Sequence, residues 1–530
     1  MKSHYDVIIV GAGHNGLVAS AYLAQAGLST LVIERLPTLG GASCSARIFP
    51  GMEANLSIFA YLISLLPAKI IRELGLRLEL IPRHTASWTP VNSVNGFREL
   101  ILPSRNPEGA QKAIAQFTEG KPDGHGYEKW LQMEAAIQSI LWPSLWKPLQ
   151  SRQSIRERLN GSALEAWQAL IEEPLGACLE SLIQDDALRG ALFTDAKIGV
   201  STHGHDPTLL QNRCFLYHIL GQGTGEWLVP VGGMGTLVHE LERVNLQTGK
   251  VTLRTSCEVT SIEPHQDKVA LCLESESGPH WVQAHHLLLN ACLPPEVIQG
   301  EPIGLPVSEQ EGAAFKMNML LKKLPQLKES QARPEEVFAG TVHLDEGYQA
   351  METSYRESVE RKLPKKPPCE IYCHSLSDPS ILSAELQTKG FHTLTLFGLD
   401  LPHRLFVDDP VAQRNLAAER CLAAINQHLA TPIQECLATD SQGQPCLHAM
   451  SALDLENHLR LPKGHLFHGD LSWPFTDQEE RVGQWGVETE HPRIHLCGSS
   501  AQRGGAVSGI PGHNAAMCVL ERLGHQVGGH

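Results

Sequence analysis

The sequence predicts an α/β fold in which both ends and a middle segment of the chain share one parallel sheet, interleaved with a second, α+β unit. Three observations predict it. First, Asp6-Val7-Ile8-Ile9-Val10 is a short apolar run that enters the turn Gly11-Ala12-Gly13-His14-Asn15-Gly16. A helical run from Leu17 to Ala26 follows, Gly27 stops it, and Thr30-Leu31-Val32-Ile33-Glu34 makes a second apolar run. Such runs joined by a helix are the pattern of parallel strands buried on both faces, and glycine supplies the helix stop. Second, Ile494-His495-Leu496-Cys497 reads as a strand entering the glycine-rich stretch 498–516, whose last part starts a helix with Pro511 in its first turn. Third, Val229–Leu237 leads into a helix followed by strand segments over 251–262, 269–274 and 281–289, so the chain returns to the first unit. These returns place residues 1–95, 222–300 and 455–530 in the first unit. Residues 96–221 and 301–454 then form the second, with a helical lid and a sheet.

Composition narrows the function classes. The 530 residues carry a net charge of −15, which argues against a nucleic-acid partner, and 42% hydrophobic with 19% charged residues is a globular composition. The 13 cysteines include no CxxC pair and cannot all pair within one chain, which fits a reducing compartment. Cys369 and Cys373 would share a strand face about 13 Å apart, too far for a disulfide. No secretory pattern opens the sequence, so a cytoplasmic protein, or one inside an organelle, is expected. The longest apolar stretch, Leu56 to Leu66, has 11 residues and ends at Pro67. That falls short of the roughly 20 needed to cross a bilayer. A buried helix is expected there, with a helix at a substrate entrance or against a membrane surface as the alternative; peripheral membrane contact stays open.

The amino-terminal turn has a chemical meaning. Gly11 permits the tight turn, Gly13 lets backbone approach a pyrophosphate, and Gly16 lets helix and strand pack closely. The helix N-terminus offers unpaired N–H groups and a partial positive charge to phosphate. Glu34, 18 residues after Gly16, is placed to accept hydrogen bonds from a ribose 2′-hydroxyl. Strand, loop, helix, strand and acid in register make a Rossmann-like unit for an adenine dinucleotide.

Glu34-Arg35-Leu36-Pro37-Thr38-Leu39-Gly40-Gly41-Ala42-Ser43 extends the pattern. An acid followed at this spacing by a glycine pair resembles the fingerprint of two-dinucleotide-binding-domain flavoproteins, the group with amine oxidases and phytoene desaturases. The resemblance implies FAD, with the glycine pair along its pyrophosphate and ribityl chain; where that group often has Arg, this sequence has Ala42. The stretch from Gly498 and Ser499 through Gln502-Arg503-Gly504-Gly505-Ala506-Val507 is similar to the carboxyl-terminal flavin motif of the phytoene desaturase-like family. That family commonly reads His-Pro-Gly-Gly-Gly-Val there. A helix N-terminus behind this turn would stabilise negative charge on a reduced flavin. The family also implies adenine pairing at Val259 and an exit to the second domain at Asn290–Pro295. Further resemblance lies in Phe193–Gly199, Lys316-Met317-Asn318 and Leu466–Gly469. With no CxxC and no second complete GxGxxG, neither a redox disulfide nor a separate NAD domain is expected.

The expected FAD contacts are therefore Gly11, Ala12, Gly13, His14, Asn15, Gly16, Glu34, Arg35, Gly40, Gly41, Ala42, Ser43, Val259, Gly498, Ser499, Gly505, Ala506 and Val507. Two cations are candidates for catalysis. Lys316 lies on the apolar run Ala313–Leu321; related amine oxidases hold a water near the flavin with a lysine on the corresponding strand, and a snorkelling surface lysine is the alternative. Arg503 is a candidate flavin or carboxylate contact. The helical stretch from Tyr127 to Ala187, with Trp130, Leu131, Ile137, Ile140 and Leu141, is expected as substrate lid or plain core, and the strands of 302–399 as pocket floor. No metal is expected: there is no HExxH, and His285 and His286 would face opposite sides of a strand. GxSxG and P-loop motifs are also absent from the sequence.

These readings converge on an FAD-dependent oxidoreductase acting on a C–H bond of a mainly apolar small molecule, by dehydrogenation, desaturation or flavin-assisted isomerisation. Oxygen or a quinone is expected as re-oxidant ahead of NAD. The alternatives are a peroxide-producing amine or amino-acid oxidase and a non-catalytic binding protein of the Rab GDP-dissociation inhibitor type.

Overall fold

The computed structural model describes residues 2–93, 96–300, 302–305 and 309–525. Its first sheet has the order Glu258–Pro264, Val269–Glu274, His280–Leu289, His4–Val10, Thr30–Ile33, Val251–Arg254, and Ile494–Leu496 pairs with the far end of His280–Leu289. His4–Val10 runs parallel to both its neighbours, and only the excursion through Val269–Glu274 and Glu258–Pro264 is antiparallel. The alternation of the central strand buries both faces. Val7 and Ile9 join the helix layer, whereas Ile8 and Val10 pack with Leu271 and Leu287 on the opposite side.

The first helix, His14–Gln25, packs against Gly235–Gln247 and Ile510–Arg522. Asn245 donates from Nδ2 to the Leu17 carbonyl at 2.9 Å. A Cβ at Gly512 would sit 2.1 Å from the Asn15 carbonyl oxygen, so only glycine lets the first and last helices approach this closely.

The second sheet has the order Leu447–Met450, Phe315–Leu321, His392–Gly398, Cys369–Tyr372, Thr341–Leu344, Thr85–Ser93, Gly96–Pro103. Its four middle strands from Phe315–Leu321 to Thr341–Leu344 alternate. Phe315, Met317, Met319, Val342, Ile371, Leu394 and Leu396 pack against the helix Pro410–Asn426. Their neighbours Lys316, Asn318, His343, Glu370, Thr393 and Thr395 point to the other face and are also buried. Thr85–Ser93, which a boundary at residue 95 leaves in the first unit, is paired along its length within this sheet.

Two expectations are corrected here. Residues 56–66 are buried but are not a helix: a two-residue strand, Leu56–Ser57, is followed by irregular backbone. Tertiary partners satisfy that backbone. Ala60 donates to the Ala42 carbonyl at 3.0 Å, Ile63 exchanges bonds with Leu228, and Lys316 and Asn318 donate to the carbonyls of Ser57, Phe59 and Ile58. Arg503 is a structural tie. It is 1% exposed, and its guanidinium donates to the carbonyls of Ser144, Lys147 and Trp485, joining the carboxyl-terminal turn to the helical layer. Its three acceptors are neutral carbonyls, and burial pushes it down to about 10 despite the attraction of the nearby Glu488.

That helical layer is core. Trp130, Ile137 and Leu141 are fully buried with Trp167 and Phe215, Ile140 packs against them, and Leu131 is exposed.

This packing has two testable consequences. Arg503→Lys replaces a planar fork by one ammonium unable to span three carbonyls, and should lower unfolding free energy by about 3 kcal/mol without changing bound nucleotide. Denaturant unfolding checks this; lost nucleotide at unchanged stability would refute it. His513, 3% exposed on the last helix, lies edge-on to Tyr22 at 5.2 Å, and burial pushes it down to about 4. Its stabilising contribution is complete above its unfolded value near 6.5 and is lost as pH falls toward 4. Between pH 7.5 and 5, wild type should therefore lose about 2 kcal/mol more stability than His513→Leu, and an equal pH response in both proteins would contradict this.

Candidate functional site

A cavity of about 460 Å³ runs between the two sheets, within the roughly 300–1,000 Å³ usual for small-molecule and cofactor sites. At one end stand the amino-terminal turn and Glu34; at the other stands the polar face of the second sheet.

The nucleotide end is built by two glycine loops stitched together. Gly40 donates to the Ala12 carbonyl at 2.9 Å and bridges Gly13, while its φ of +109° and the methyls of Val238 exclude any side chain. Glu34 is held from both sides: Oε2 accepts from the Ala12 N–H and Oε1 from the Leu36 N–H, each at 2.9 Å. Asn290 Nδ2 donates to the Gly11 carbonyl at 2.9 Å, fixing the turn from the adjacent strand exit. His14 Nδ1 lies 3.1 Å from Ser43 Oγ, and burial pushes the imidazole down to about 4, so it is neutral at physiological pH.

The residues present fit a dinucleotide. Asn15 Oδ1 is buried on the cavity wall without a partner among the described residues, at the first turn of a helix whose N–H groups lack intrahelical acceptors, and His14 beside it bonds to Ser43 and the Ala506 backbone. Of the expected contacts, Gly11, Gly13, His14, Asn15, Glu34 and Arg35 line this end. So do Gly41, Ala42, Ser43 and Val259, while Ser499, Ala506 and Val507 line the wall supplied by the carboxyl-terminal turn. Ala12, Gly16, Gly40, Gly498 and Gly505 stand behind the lining and shape it. Gly505, for example, lies where a Cβ would meet Leu471 and Phe467 rather than a ligand. Arg503 is likewise off the cavity.

Lys316 is neither exposed nor snorkelling. It is 4% exposed and lines the cavity, its Nζ donates to the Ser57 carbonyl at 2.8 Å and to Phe59, and it lies 4.7 Å from the Tyr61 ring centroid. Burial without a carboxylate partner pushes it well below the ordinary lysine range.

Several wall residues have no assignment from sequence alone. Cys292 and His468 meet at 3.1 Å; burial raises the thiol to about 12 and lowers the imidazole to about 4. At the inner end, His343 Nδ1 lies 2.5 Å from Glu346 Oε2, and Tyr372 donates to Glu370 Oε2 at 2.5 Å. Asp195 and Arg83 line the same end. A signal for His343 and Glu370 does exist in the sequence: a titratable residue breaks into each of the otherwise apolar strands TVHL and CEIY. Residues 127–187, the expected lid, contribute nothing to the described lining.

Comparison with known proteins bears on the family and the fold. Residues 9–65 match the family described as NAD(P)-binding Rossmann-like domain. The chain is 42% identical to "Uncharacterized protein Rv0897c" of Mycobacterium tuberculosis, over 98% of this chain and 97% of that one. It is 27% identical to pyridine nucleotide-disulfide oxidoreductase domain-containing protein 2 of Mus musculus, over 99% of this chain and 94% of that one. Among solved structures, the cyclohexylamine oxidase of Brevibacterium oxydans superposes with TM-score 0.53 at 15% identity, covering 98% of this chain and 100% of that one. The Rab GDI of Plasmodium falciparum does so with TM-score 0.51 at 12% identity, over the whole of both chains. At these identities the likeness to solved structures is one of fold. The chain belongs to the family of the mycobacterial Rv0897c protein, and its fold is the one shared by the amine oxidase and Rab GDI structures.

Proposed function

We propose that the chain is an FAD-dependent oxidoreductase that removes hydride from a C–H bond of a small organic substrate seated between the two sheets. One observation carries this reading: a single cavity connects the glycine turn and Glu34 to Lys316 and the second sheet, so cofactor and substrate share one space. FAD is favoured over NAD because the Gly40–Gly41 loop and the Ala506–Val507 turn border the same cavity as the Rossmann turn, in keeping with the flavoprotein resemblance.

Gly11, Gly13, His14 and Asn15 would hold the diphosphate, Glu34 the adenosine ribose, Val259 the adenine, and Ala506 with Val507 the ring system. When bound, FAD supplies two-electron acceptance of hydride. The chain supplies placement. Glu34, already anchored by two backbone N–H groups, keeps its remaining lone pairs for hydroxyls; neutral His14 places no charge beside the diphosphate. Tyr61, Leu62, Phe397, Leu466 and Phe467 give the substrate apolar walls that exclude water. Dehydrogenation, desaturation and isomerisation all suit such a space, with oxygen or a quinone as re-oxidant.

A second reading, an amine or amino-acid oxidase that releases peroxide, is favoured by Lys316, whose amine lies on the cavity wall beside Tyr61.

The visible spectrum of the purified protein tests the cofactor assignment. Flavin bands are expected, and a colourless protein that also fails to take up added FAD would defeat it. Glu34→Ala should weaken FAD retention by roughly 1.5–3 kcal/mol with the fold preserved, read from the dissociation constant; unchanged occupancy would count against the ribose placement. An anaerobic substrate screen by flavin bleaching, followed by a peroxide assay with amines, separates the two reactions.

A further inference from the structure

The inner end of the cavity carries two side chains, with a third behind them, that the nucleotide reading leaves without a task. His343 and Glu370 are directly opposed on adjacent antiparallel strands and both line the cavity. Glu346 follows in the turn after Thr341–Leu344, where Asp345 at φ +52° reverses the chain and brings the carboxylate back to His343. Ligand atoms of His343, Glu346 and Glu370 all lie within 4.8 Å of one another, and the three residues are buried.

We propose that His343, Glu346 and Glu370 form a site for one divalent first-row transition-metal ion on the cavity wall. This inference goes beyond the oxidoreductase reading and does not depend on it.

Three observations carry it. One imidazole and two carboxylates are a ligand set for zinc, manganese or iron rather than for all-oxygen calcium or magnesium sites. Metal–ligand bonds near 2.1 Å put adjacent ligand atoms about 3.0–3.4 Å apart. His343 Nδ1 is 2.5 Å from Glu346 Oε2 and 3.9 Å from Glu370 Oε1, and all three ligand atoms lie within 4.8 Å, so side-chain shifts of at most about 1.5 Å seat an ion. Second, Glu346 is 3% exposed, and apart from His343 it is met by the neutral hydroxyl of Thr194, so no full positive charge faces it among the described residues. A buried carboxyl of this kind stays protonated unless a cation meets it. Third, the surroundings do not supply that cation. Asp195 adds another acid, Thr194 and Tyr372 are neutral, and Arg83 is engaged with Thr341 Oγ1 at 2.6 Å and with the face of Tyr372. Because His343 and Glu370 border the cavity, the ion's open positions suit a hydroxyl, carbonyl or carboxylate oxygen of a substrate.

The test is calorimetric titration of the full-length protein, stripped with chelator, with zinc chloride and with manganese chloride. One saturable equivalent is expected, weakened at least about a hundredfold in Glu370→Gln and in Glu346→Gln, each checked for fold by circular dichroism. X-ray absorption at the zinc edge of the wild-type complex should show one imidazole nitrogen, oxygens and no sulfur, and this holds the test if either variant misfolds. No saturable binding, unchanged binding in the folded variants, or a sulfur-containing shell would overturn the proposal and leave a hydrogen-bonded acid cluster only.

Discussion

Burial of a polar row on the second sheet is the constraint around which the rest of the molecule is arranged. Lys316, Asn318, His343 and Glu370 project from the face opposite the apolar core, and each is under 10% exposed. An interior polar group must be bonded or lose several kcal/mol, so its partners have to be built. The backbone of 57–59 is one such partner. Its carbonyls receive Lys316 and Asn318, which is why an eleven-residue apolar stretch stays irregular when its composition would allow a helix. Local propensity yields to tertiary hydrogen bonding there.

The facing wall obeys a different requirement, close approach of backbone to backbone. The glycine turn after the first strand, the Gly40 loop and Asn290 lock together through main-chain bonds, and the last helix presses on the first through Gly512. Residues separated by nearly the whole chain therefore set the position of one helix N-terminus. Phosphate recognition depends on where those N–H groups point, so the interleaving of the chain bears directly on binding.

Low polarity inside the cavity follows from both walls and governs its chemistry. His14 and His468 are held neutral, the thiol of Cys292 stays protonated, and Lys316 is pushed toward its uncharged amine, all chiefly by burial. Cys257 and Cys292 both line the cavity, and the sequence contains no CxxC pair. Burial likewise drives the carboxyls of Glu346 and Glu370 toward their neutral, protonated form.

The sequence by itself determined the Rossmann unit, the return of the chain through 251–289 and 494–496, and the acid at Glu34. Those features are local: periodicity, glycine spacing and one acid at a set distance specify them within about thirty residues. Lys316 could be placed on a strand, and the alternation of TVHL and CEIY was there to be read. Only the tertiary structure decided which face of that sheet meets the cavity, that His343 and Glu370 stand opposite each other, that Glu346 turns back to join them, and that Arg503 serves three carbonyls instead of a ligand. The physical reason is that strand register and the burial of polar groups are settled by partners far away in the chain, and no window of sequence contains both sides of such a contact.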